Sequence, residues 1–525
     1  MKSIKQILGR AMVLVLAILM LPACDQDSRF EDLNTNPTQA SSIPPDYLFT
    51  PAQMAIAGTR YEAWRSNLIY PEAMIQHLAE TWFTGDKYTT NADWLSALWT
   101  VSYNGNGDGQ RAPIKLLVDL IYNNVDQECA ATQDIYTECP PAQPTMVNKI
   151  AAARILRVFV FHRLTDMYGD LPYFEAGLGF LRNNVTPNYD TQQAIYNDML
   201  KELQQAVAQF DPDFPTYGGA DVVYGGDVTK WQRFGNSLML RLAMRSPSLN
   251  SWVTTAVNGP GGLMTGNGDS FVVPHERGSS EGPNGLNTNG VGDVLEVFGR
   301  PKCTKTFVNL LRDTGDPRLG VFCGVGGALD TPVALQKGMP GGNDGNTIAD
   351  PSWEAYDPDY TSFSDYSVPT DAVSSRVAPT FLLTYAQTEF LLAEAGVGDP
   401  ATHYANGVRA AMEQLALYPD APAISSGDIT DYLAANPYDA ANAMEQINTH
   451  IWVETFLNGH EAWSNWRRSG YPVLDPVNWP GNVTNGQIPR RLGFWGNTSL
   501  NPNAVASVPP GGQFDLTTPV WWDAQ

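Results

Sequence analysis

The segment that most constrains the fold of this chain lies near its C-terminus, between Ile447 and Pro472. Four large aromatic residues and a glycine recur there at helical spacing, which places them on one stripe of a helix: Trp452, Phe456, Gly459, Trp463 and Trp466. A stripe of this size needs a large partner surface, and the glycine lets another element approach closely. Gly470 offers a left-handed cap and Pro472 forbids continuation, so the segment predicts one core helix that ends before Pro472.

The first 42 residues predict export and lipid attachment. A basic start followed by the apolar run Ala11–Leu21 is typical of a signal peptide, because the run has about half the length of a bilayer-spanning helix. Leu21-Pro22-Ala23-Cys24 then matches a bacterial lipobox, in which cleavage before the cysteine accompanies diacylation of its thiol. We expect a lipoprotein signal peptide over residues 1–23, then a lipidated, palmitate-bearing Cys24 in a flexible tether over residues 24–42. Ordinary secretion with a structural Cys24 is the alternative.

The charge of the chain disfavours anionic partners. Its formal net charge is −23 at pH 7, and no basic stripe offsets this field, so we expect no nucleic acid to bind. Direct adhesion to anionic lipid headgroups is disfavoured for the same reason. No segment after the signal peptide is long and apolar enough in sequence to span a membrane.

Four cysteines follow Cys24, and they are disulfide candidates: Cys129, Cys139, Cys303 and Cys323. Their even number and the exported compartment favour disulfides. Sequence alone allows three connectivities, among which the nearest-neighbour pairs 129–139 and 303–323 would each close a local loop. Zinc is the rival interpretation, but no CxxC pair or Cys/His cluster supports it.

Helical periodicity divides the chain after the tether into a scaffold and an irregular region. Apolar residues recur at helical spacing over about 43–257 and again over about 378–472, whereas Gly, Pro, Asn, Asp and Ser dominate about 258–377. We expect residues 43–525 to form a single, mainly α domain. Helix pairs would make the scaffold, loops with short strands and small helices would lie over it, and residues 473–525 would be an irregular tail.

Within the scaffold, start and stop signals set the bounds of individual helices. Pro144 opens a helix that runs through Tyr168, and Asp190 with Gln193 resembles a capping box for the helix through Phe210. Apolar spacing also predicts a helix over Pro379–Ala395.

Aromatic residues are concentrated in residues 61–103 and again in a loop of the irregular region. Sugars have apolar C–H faces and polar rims, so they bind flat aromatic rings that have amide, carboxylate or guanidinium neighbours. Core packing is the alternative for each ring. The ligand-binding candidates are Trp82, Tyr88, Trp94, Trp99, Asp86, Asn91, Trp353, Tyr356 and Tyr360.

The sequence holds no catalytic signature such as HExxH, GxSxG or a Walker motif, and its six histidines form no ligand-spaced cluster. We therefore expect no enzyme activity. Because 55 acidic residues always allow some pair at glycosidase distance, a surface glycoside hydrolase is the enzyme alternative.

One glycine-rich run has oxygen-bearing side chains at alternate positions: Asn104, Asn106 and Asp108. This alternation resembles the start of a calcium loop, but the bidentate Glu is absent at the right spacing downstream. A glycine-rich turn is favoured, so we expect no cofactor, with calcium as the alternative.

Nine segments, ordered from the lipobox almost to the C-terminus, carry a resemblance to a known family. They are the lipobox, Phe30–Pro37, Tyr168–Ala176, Gly226–Arg245, Thr384–Ala395, Trp452–Pro472, Ile488–Leu492, Ser499–Pro502 and Val520–Asp523. In this order they resemble the SusD/RagB-like family of nutrient-binding outer-membrane lipoproteins of Bacteroidetes. The chain departs from the family pattern between Leu492 and Leu500, where it reads GFWGNTS in place of a Pro-rich turn with a Glu.

The resemblance implies tetratricopeptide-like helix pairs packed as a scaffold, with an irregular loop-rich lobe over it. It also implies a function: capture of an oligosaccharide at the cell surface and delivery to a SusC-like TonB-dependent outer-membrane transporter. Peptide binding is the alternative within the same family. The protein would then sit in the outer membrane, anchored through the Cys24 lipid and facing the cell exterior.

Overall fold

The computed structural model describes residues 43–79, 85–105, 111–276, 288–358, 360–496 and 498–524. Cys24 and the tether, like Trp82, Asn106 and Asp108, lie outside these residues. Pro45–Gln525 forms one compact unit. Within the described residues α-helices dominate, which confirms the mainly α prediction.

The α-helices of eight residues or more are Asp46–Ala57, Ala97–Asn104, Pro113–Tyr122, Val147–Tyr168, Gln192–Gln209, Val228–Ala243, Gly290–Phe298, Lys305–Asp313, Tyr385–Ala395, Pro400–Glu413, Ser426–Ala435, Ala443–Glu454 and Gly459–Ser469. The shorter ones are Arg60–Glu62, Pro71–Met74, Ala92–Leu95, Gln127–Ala130, Trp252–Val257 and Leu319–Phe322. Consecutive long helices pack in pairs, as Val147–Tyr168 does with Gln192–Gln209 and Tyr385–Ala395 with Pro400–Glu413.

Short strands connect the irregular region to the scaffold. In the described part of the chain they form three two-stranded antiparallel sheets: Leu78–Ala79 with Lys302–Cys303, Phe271–Val273 with Thr380–Leu383, and Cys323–Gly324 with Val368–Pro369. Two of these sheets therefore join a scaffold segment to residues 258–377.

The second sheet corrects the helix predicted over Pro379–Ala395. Its first residues form the strand Thr380–Leu383, and the helix begins only at Tyr385. Thr384 caps it, since the Thr384 side chain accepts a hydrogen bond from Gln387 N at 3.0 Å. Pairing with Phe271–Val273 outweighs the helical spacing of the apolar residues.

The predicted helix through Ile447–Pro472 is also wrong in one respect, because it is broken. Ala443–Glu454 and Gly459–Ser469 are separate helices, and Leu457 between them has a φ of +70°. The side chain of Asn67 bridges the break: its Nδ2 donates to Leu457 O at 3.0 Å, and its Oδ1 accepts from Gly459 N at 2.9 Å. This amide replaces helical hydrogen bonds that the backbone leaves unmade.

The aromatic stripe is nevertheless buried as expected. The rings of Trp452 and Trp463 have no exposed surface, and Trp466 is only 8% exposed. Gly459 permits the close approach that the sequence predicted, because a Cβ atom there would lie 2.8 Å from Glu72 N. Gly470 has a φ of +77° and caps the second helix in the left-handed conformation.

The helix after Asp190 is capped by a different residue from the one predicted. Thr191 is the N-cap and accepts from Ala194 N, and the helix runs from Gln192 to Gln209. The Asp190 carboxylate instead accepts from the backbone N–H groups of Tyr173 and Phe174, both at 3.0 Å. It therefore stabilises the 173–190 loop.

Both nearest-neighbour cysteine pairs form disulfides. The Cα atoms of Cys129 and Cys139 are 5.5 Å apart, and those of Cys303 and Cys323 are 6.5 Å apart. The second bond links the strands Lys302–Cys303 and Cys323–Gly324, so it holds two edges of the irregular region together.

A buried ionic network ties the scaffold helices to the tail. Glu461 accepts from Arg245 Nη2 at 2.5 Å and from Gln387 Nε2 at 2.7 Å. Arg245 also lies 3.2 Å from Asp166 Oδ2, and Asp166 Oδ1 accepts from the tail residue Trp522, whose Nε1 is 2.9 Å away. All five side chains are buried.

In the described part of the chain, no helix has both the length and the apolar character needed to cross a bilayer.

We predict that Gly459→Ala destabilises the protein, by about 1–3 kcal/mol, because its methyl group would overlap the Glu72 backbone. Urea denaturation followed by circular dichroism measures the change. Gly427→Ala is the matched control: this helical position has no neighbour nearer than 3.5 Å to an added Cβ, so alanine should be neutral or stabilising by up to ~1 kcal/mol. Equal effects of the two variants would contradict the close approach at Gly459.

We predict that Glu461→Gln costs about 3–5 kcal/mol at neutral pH, because it removes the buried negative charge that Arg241 and Arg245 share. Burial alone would raise the pKa of Glu461, but the guanidinium groups of Arg241 and Arg245 outweigh it and lower the pKa to about 2. Ionised Glu461 therefore stabilises the fold above its ordinary pKa of 4.5, and this contribution is lost as pH falls from 4.5 towards 2.

The measurement is the difference in unfolding free energy between wild type and Glu461→Gln at several pH values. This difference should narrow between pH 4.5 and 2. The exposed Glu445→Gln on the preceding helix is the control and should show no such dependence. A constant difference across this range would contradict the role of the Glu461 charge.

Candidate functional site

The structure places two of the predicted ligand-binding residues, Asp86 and Tyr88, in the core. Tyr88 has no exposed surface, and its hydroxyl accepts from Val477 N at 3.1 Å. Burial raises the pKa of Tyr88 to about 12. Asp86 is 1% exposed and accepts from Lys87 Nζ at 3.1 Å and Gly342 N at 2.9 Å. Tyr88 is thus a structural residue, and not the exposed platform that the sequence predicted.

Asn91 and Trp94 lie at the start of a short helix. Asn91 is the N-cap of Ala92–Leu95, and its Oδ1 accepts from Trp94 N at 3.2 Å. The half-buried Trp94 ring packs against the main core. Asn91 therefore uses its amide oxygen to hold the backbone.

Trp353, in the candidate loop of the irregular region, forms an aromatic pair with Trp479 of the tail. The ring of Trp353 lies 5.3 Å from that of Trp479, at an angle of 67° between the planes. Both rings are half-buried. Trp353 Nε1 has no hydrogen-bond partner among the described residues. We call these two residues the Trp353–Trp479 pair.

Three segments that are far apart in sequence position this pair. The Asp86 carboxylate holds Gly342, so the 85–88 turn is fixed against the start of the loop. The turn is fixed to the tail through Tyr88, whose carbonyl accepts from Val483 N at 3.0 Å. Lys87 Nζ lies 5.3 Å from the centre of the Trp479 ring, which is cation–π distance.

Tyr356 and Tyr360 lie on the same loop and are half-buried. Tyr356 N donates to Trp353 O at 3.0 Å. Tyr360 packs on a small satellite core and lies 5.8 Å from Tyr366, while Lys337 Nζ is 4.5 Å from its ring centre. Tyr356 is therefore linked directly to Trp353 of the pair, whereas Tyr360 stabilises the loop by its packing.

Trp99 lies apart from the pair, in an open depression of about 500 Å³. The depression is lined by Ser96, Trp99, Thr100, Trp495, Gly496, Thr498 and Gln513. We call it the Trp99–Trp495 depression. Of the predicted aromatic candidates, Trp353 and Trp99 thus lie at two different surfaces.

Sequence reasoning missed Trp479 and Trp495. Both lie in the irregular tail, where no periodicity shows which rings are exposed. Trp495 falls inside GFWGNTS, the stretch that departs from the family pattern. That departure was the one signal in the sequence that could have pointed to it.

The calcium alternative stays a prediction. Asn104 is the last residue of the helix Ala97–Asn104, and Gly105 follows it with a φ of +72°. Across the described ranges, no cluster of His, Cys, Asp and Glu side chains could hold a metal ion.

Two carboxylates, Asp344 and Asp350, lie on the loop that carries Trp353 and are poorly suited to proton donation. Burial raises the pKa of Asp344, but hydrogen bonds from Thr347 and Asn346 lower it further than burial raises it. Hydrogen bonds from Ser352 lower the pKa of Asp350. A glycosidase general acid needs a raised pKa, so neither carboxylate has the property that this role requires.

Comparisons with known proteins identify the fold and the family. A SusD-like family model, described as starch-binding and associating with the outer membrane, matches residues 37–495. A solved structure called a chitin-binding protein is 30% identical, with a TM-score of 0.76, and the match covers 92% of this chain and 100% of that one.

Two further solved structures share the fold at lower identity. One is a SusD-like protein of Bacteroidetes, 24% identical, with a TM-score of 0.75 and coverage of 92% of this chain and 100% of that one. The other is a chitin-binding SusD homolog from Flavobacterium johnsoniae, 23% identical, with a TM-score of 0.67 and coverage of 91% and 98%. The comparison with curated proteins finds no match.

The family match covers most of the chain, and a relative at 30% identity covers nearly all of it. Since this family is associated with the outer membrane and with carbohydrate ligands, the expectation of a carbohydrate-binding type of protein is supported at that level. The chain belongs to the SusD-like family.

Proposed function

We propose that this protein binds a chitin-type oligosaccharide at the Trp353–Trp479 pair and does not hydrolyse it. The pair is the observation that carries the proposal. Two indole rings at 67° to each other offer apolar surface to the C–H faces of sugar rings, at a place where a loop meets the tail. The chitin-type ligand follows from the relative at 30% identity that is called a chitin-binding protein.

The surroundings of the pair suit a hydroxyl-rich ligand. Ser352, Glu354 and Asn478 are exposed next to the two rings in sequence, and they supply both donors and acceptors for sugar hydroxyl and acetamido groups. The Trp479 ring is held by Lys87 of the 85–88 turn and by Trp353, so less conformational entropy is lost when the ligand binds.

The lowered pKa values of Asp344 and Asp350 fit binding without turnover as far as these two carboxylates are concerned. A surface glycoside hydrolase would need one carboxylic acid that stays protonated near neutral pH. Neither of these two carboxylates meets that requirement.

Location and delivery are the second part of the proposal. The lipobox predicts an anchor on Cys24, and the family description places such proteins at the outer membrane. We infer that the protein faces the cell exterior and passes its ligand to a SusC-like TonB-dependent transporter.

We predict that Trp353→Ala and Trp479→Ala each weaken the binding of N-acetylchitohexaose by at least about tenfold, which corresponds to ~1.4 kcal/mol. Isothermal titration calorimetry on chain carrying Cys24→Ser, which removes the lipid, measures the affinity. Phe180→Ala is the control, because this aromatic ring is 98% exposed and lies outside the pair. Unchanged affinity in both Trp variants would refute the assignment of the site, and release of new reducing ends would refute binding without turnover.

We predict that wild-type protein, expressed from its full sequence and extracted gently from its own membrane, copurifies with a β-barrel transporter. Cys24→Ser should lose both metabolic palmitate labelling and sedimentation with the outer membrane, since the acyl chains supply its membrane affinity. A lipidated wild-type protein that brings no barrel with it would contradict the transporter partnership while leaving ligand binding intact.

A further inference from the structure

We propose that the Trp99–Trp495 depression is a second carbohydrate-binding site, separate from the Trp353–Trp479 pair. Its two aromatic walls come from opposite ends of the chain: Trp99 from the helix Ala97–Asn104 and Trp495 from the tail. The volume of about 500 Å³ lies within the range of small-molecule sites, ~300–1,000 Å³.

Both tryptophan rings are held in place before any ligand arrives. Trp495 Nε1 donates to Leu492 O at 2.9 Å, and the Trp495 ring lies 5.9 Å from the Phe514 ring. Trp99 packs edge-on against Tyr168 at 5.7 Å and nearly parallel to Tyr189 at 6.2 Å. Pre-formed rings reduce the entropy cost of binding.

Tyr189 joins the two walls. Its hydroxyl donates to Trp495 O at 3.4 Å, while its ring lies against Trp99. The tail is also fixed beside the depression, because Phe494 N donates to Gln513 O at 2.8 Å. The width of the depression is therefore set by these contacts.

The chemistry of the lining indicates the class of ligand. Every lining side chain is uncharged, which disfavours an anion or a charged peptide. Thr100, Thr498 and Gln513 contribute hydroxyl and amide groups to this lining, and Thr498 and Gln513 are exposed. Half-buried indole rings beside such neutral donors and acceptors suit the apolar faces and hydroxyl rims of a neutral sugar.

The depression shares no residue with the Trp353–Trp479 pair. The pair depends on the 85–88 turn, the loop after Gly342 and the tail around Val477. The depression depends on residues 96–100, Tyr189 and 492–513. An oligosaccharide long enough to reach both sites would bind more tightly than at either site alone, because the second contact is intramolecular.

Titration calorimetry with N-acetylchitotriose on the chain carrying Cys24→Ser tests the proposal; this probe rests on the proposed function, and the lining itself implies only a neutral sugar. Wild type should bind two molecules per chain. Trp495→Ala should leave one, with an affinity that the further change Trp353→Ala then removes. Thr100→Arg, which fills the depression from a half-buried position and keeps both indoles, should also leave one.

Thermal unfolding of each variant shows whether it is folded. If folded Trp495→Ala and Thr100→Arg both keep two molecules per chain, or if wild type binds a single molecule that only Trp353→Ala removes, the second site is refuted and the proposed function stands. If the single molecule is lost in Thr100→Arg and kept in Trp353→Ala, the depression binds sugar and the pair does not. If no sugar binds across a panel of neutral glycans, both proposals fail.

Discussion

Glu461 lies in the core between the guanidinium groups of Arg241 and Arg245, and the rest of the structure depends on this arrangement. Moving such charges out of water is expensive, and the cost is offset only while every partner is present. The network reaches Asp166 in the longest helix and Trp522 near the chain end. It therefore fixes the relative positions of helices that hydrophobic contacts alone would hold less specifically.

The same network anchors the end of the tail that carries two of the tryptophans proposed to bind sugar. Trp479 and Trp495 belong to a tail with no α-helix or strand among its described residues, so their positions come from contacts with the scaffold. Trp522 holds the far end of that tail on Asp166. Arg490, also in the tail, pairs with Asp523 and donates to Arg467 O of the scaffold at 2.9 Å. The tail that carries Trp479 and Trp495 is thus anchored at its end by the charged network of the core.

The fold could be predicted from sequence where the cause was local. Gly470 caps its helix, as predicted, because the left-handed conformation favours glycine. The break at Leu457 could not be predicted, because the residue that stabilises it, Asn67, is 390 positions away. A helical pattern also cannot show that Thr380–Leu383 has a strand partner in Phe271–Val273.

The candidate site was predictable only in part, for a related reason. Composition shows that a stretch is rich in aromatic rings. Whether a given ring is exposed depends on which distant segments of the chain pack over it. Tyr88 is covered by the 477–483 segment, whereas Trp353 meets the same segment and stays half exposed. Both partners come from the tail, whose irregular backbone gives no pattern to read.

The C-terminal tail is held in place at both of its ends. Residues 473–521 run between the cap at Gly470 and the buried Trp522, so the chain between them is a closed loop in the folded protein. The entropy of closing a loop grows only slowly with its length. Substitutions at exposed or half-buried positions between the anchors, away from buried residues such as Leu492 and Phe494, can therefore change the rings offered to a ligand at little cost to the helices. On this fold, the proposed sugar specificity can change through residues of the tail while the core sequence stays the same.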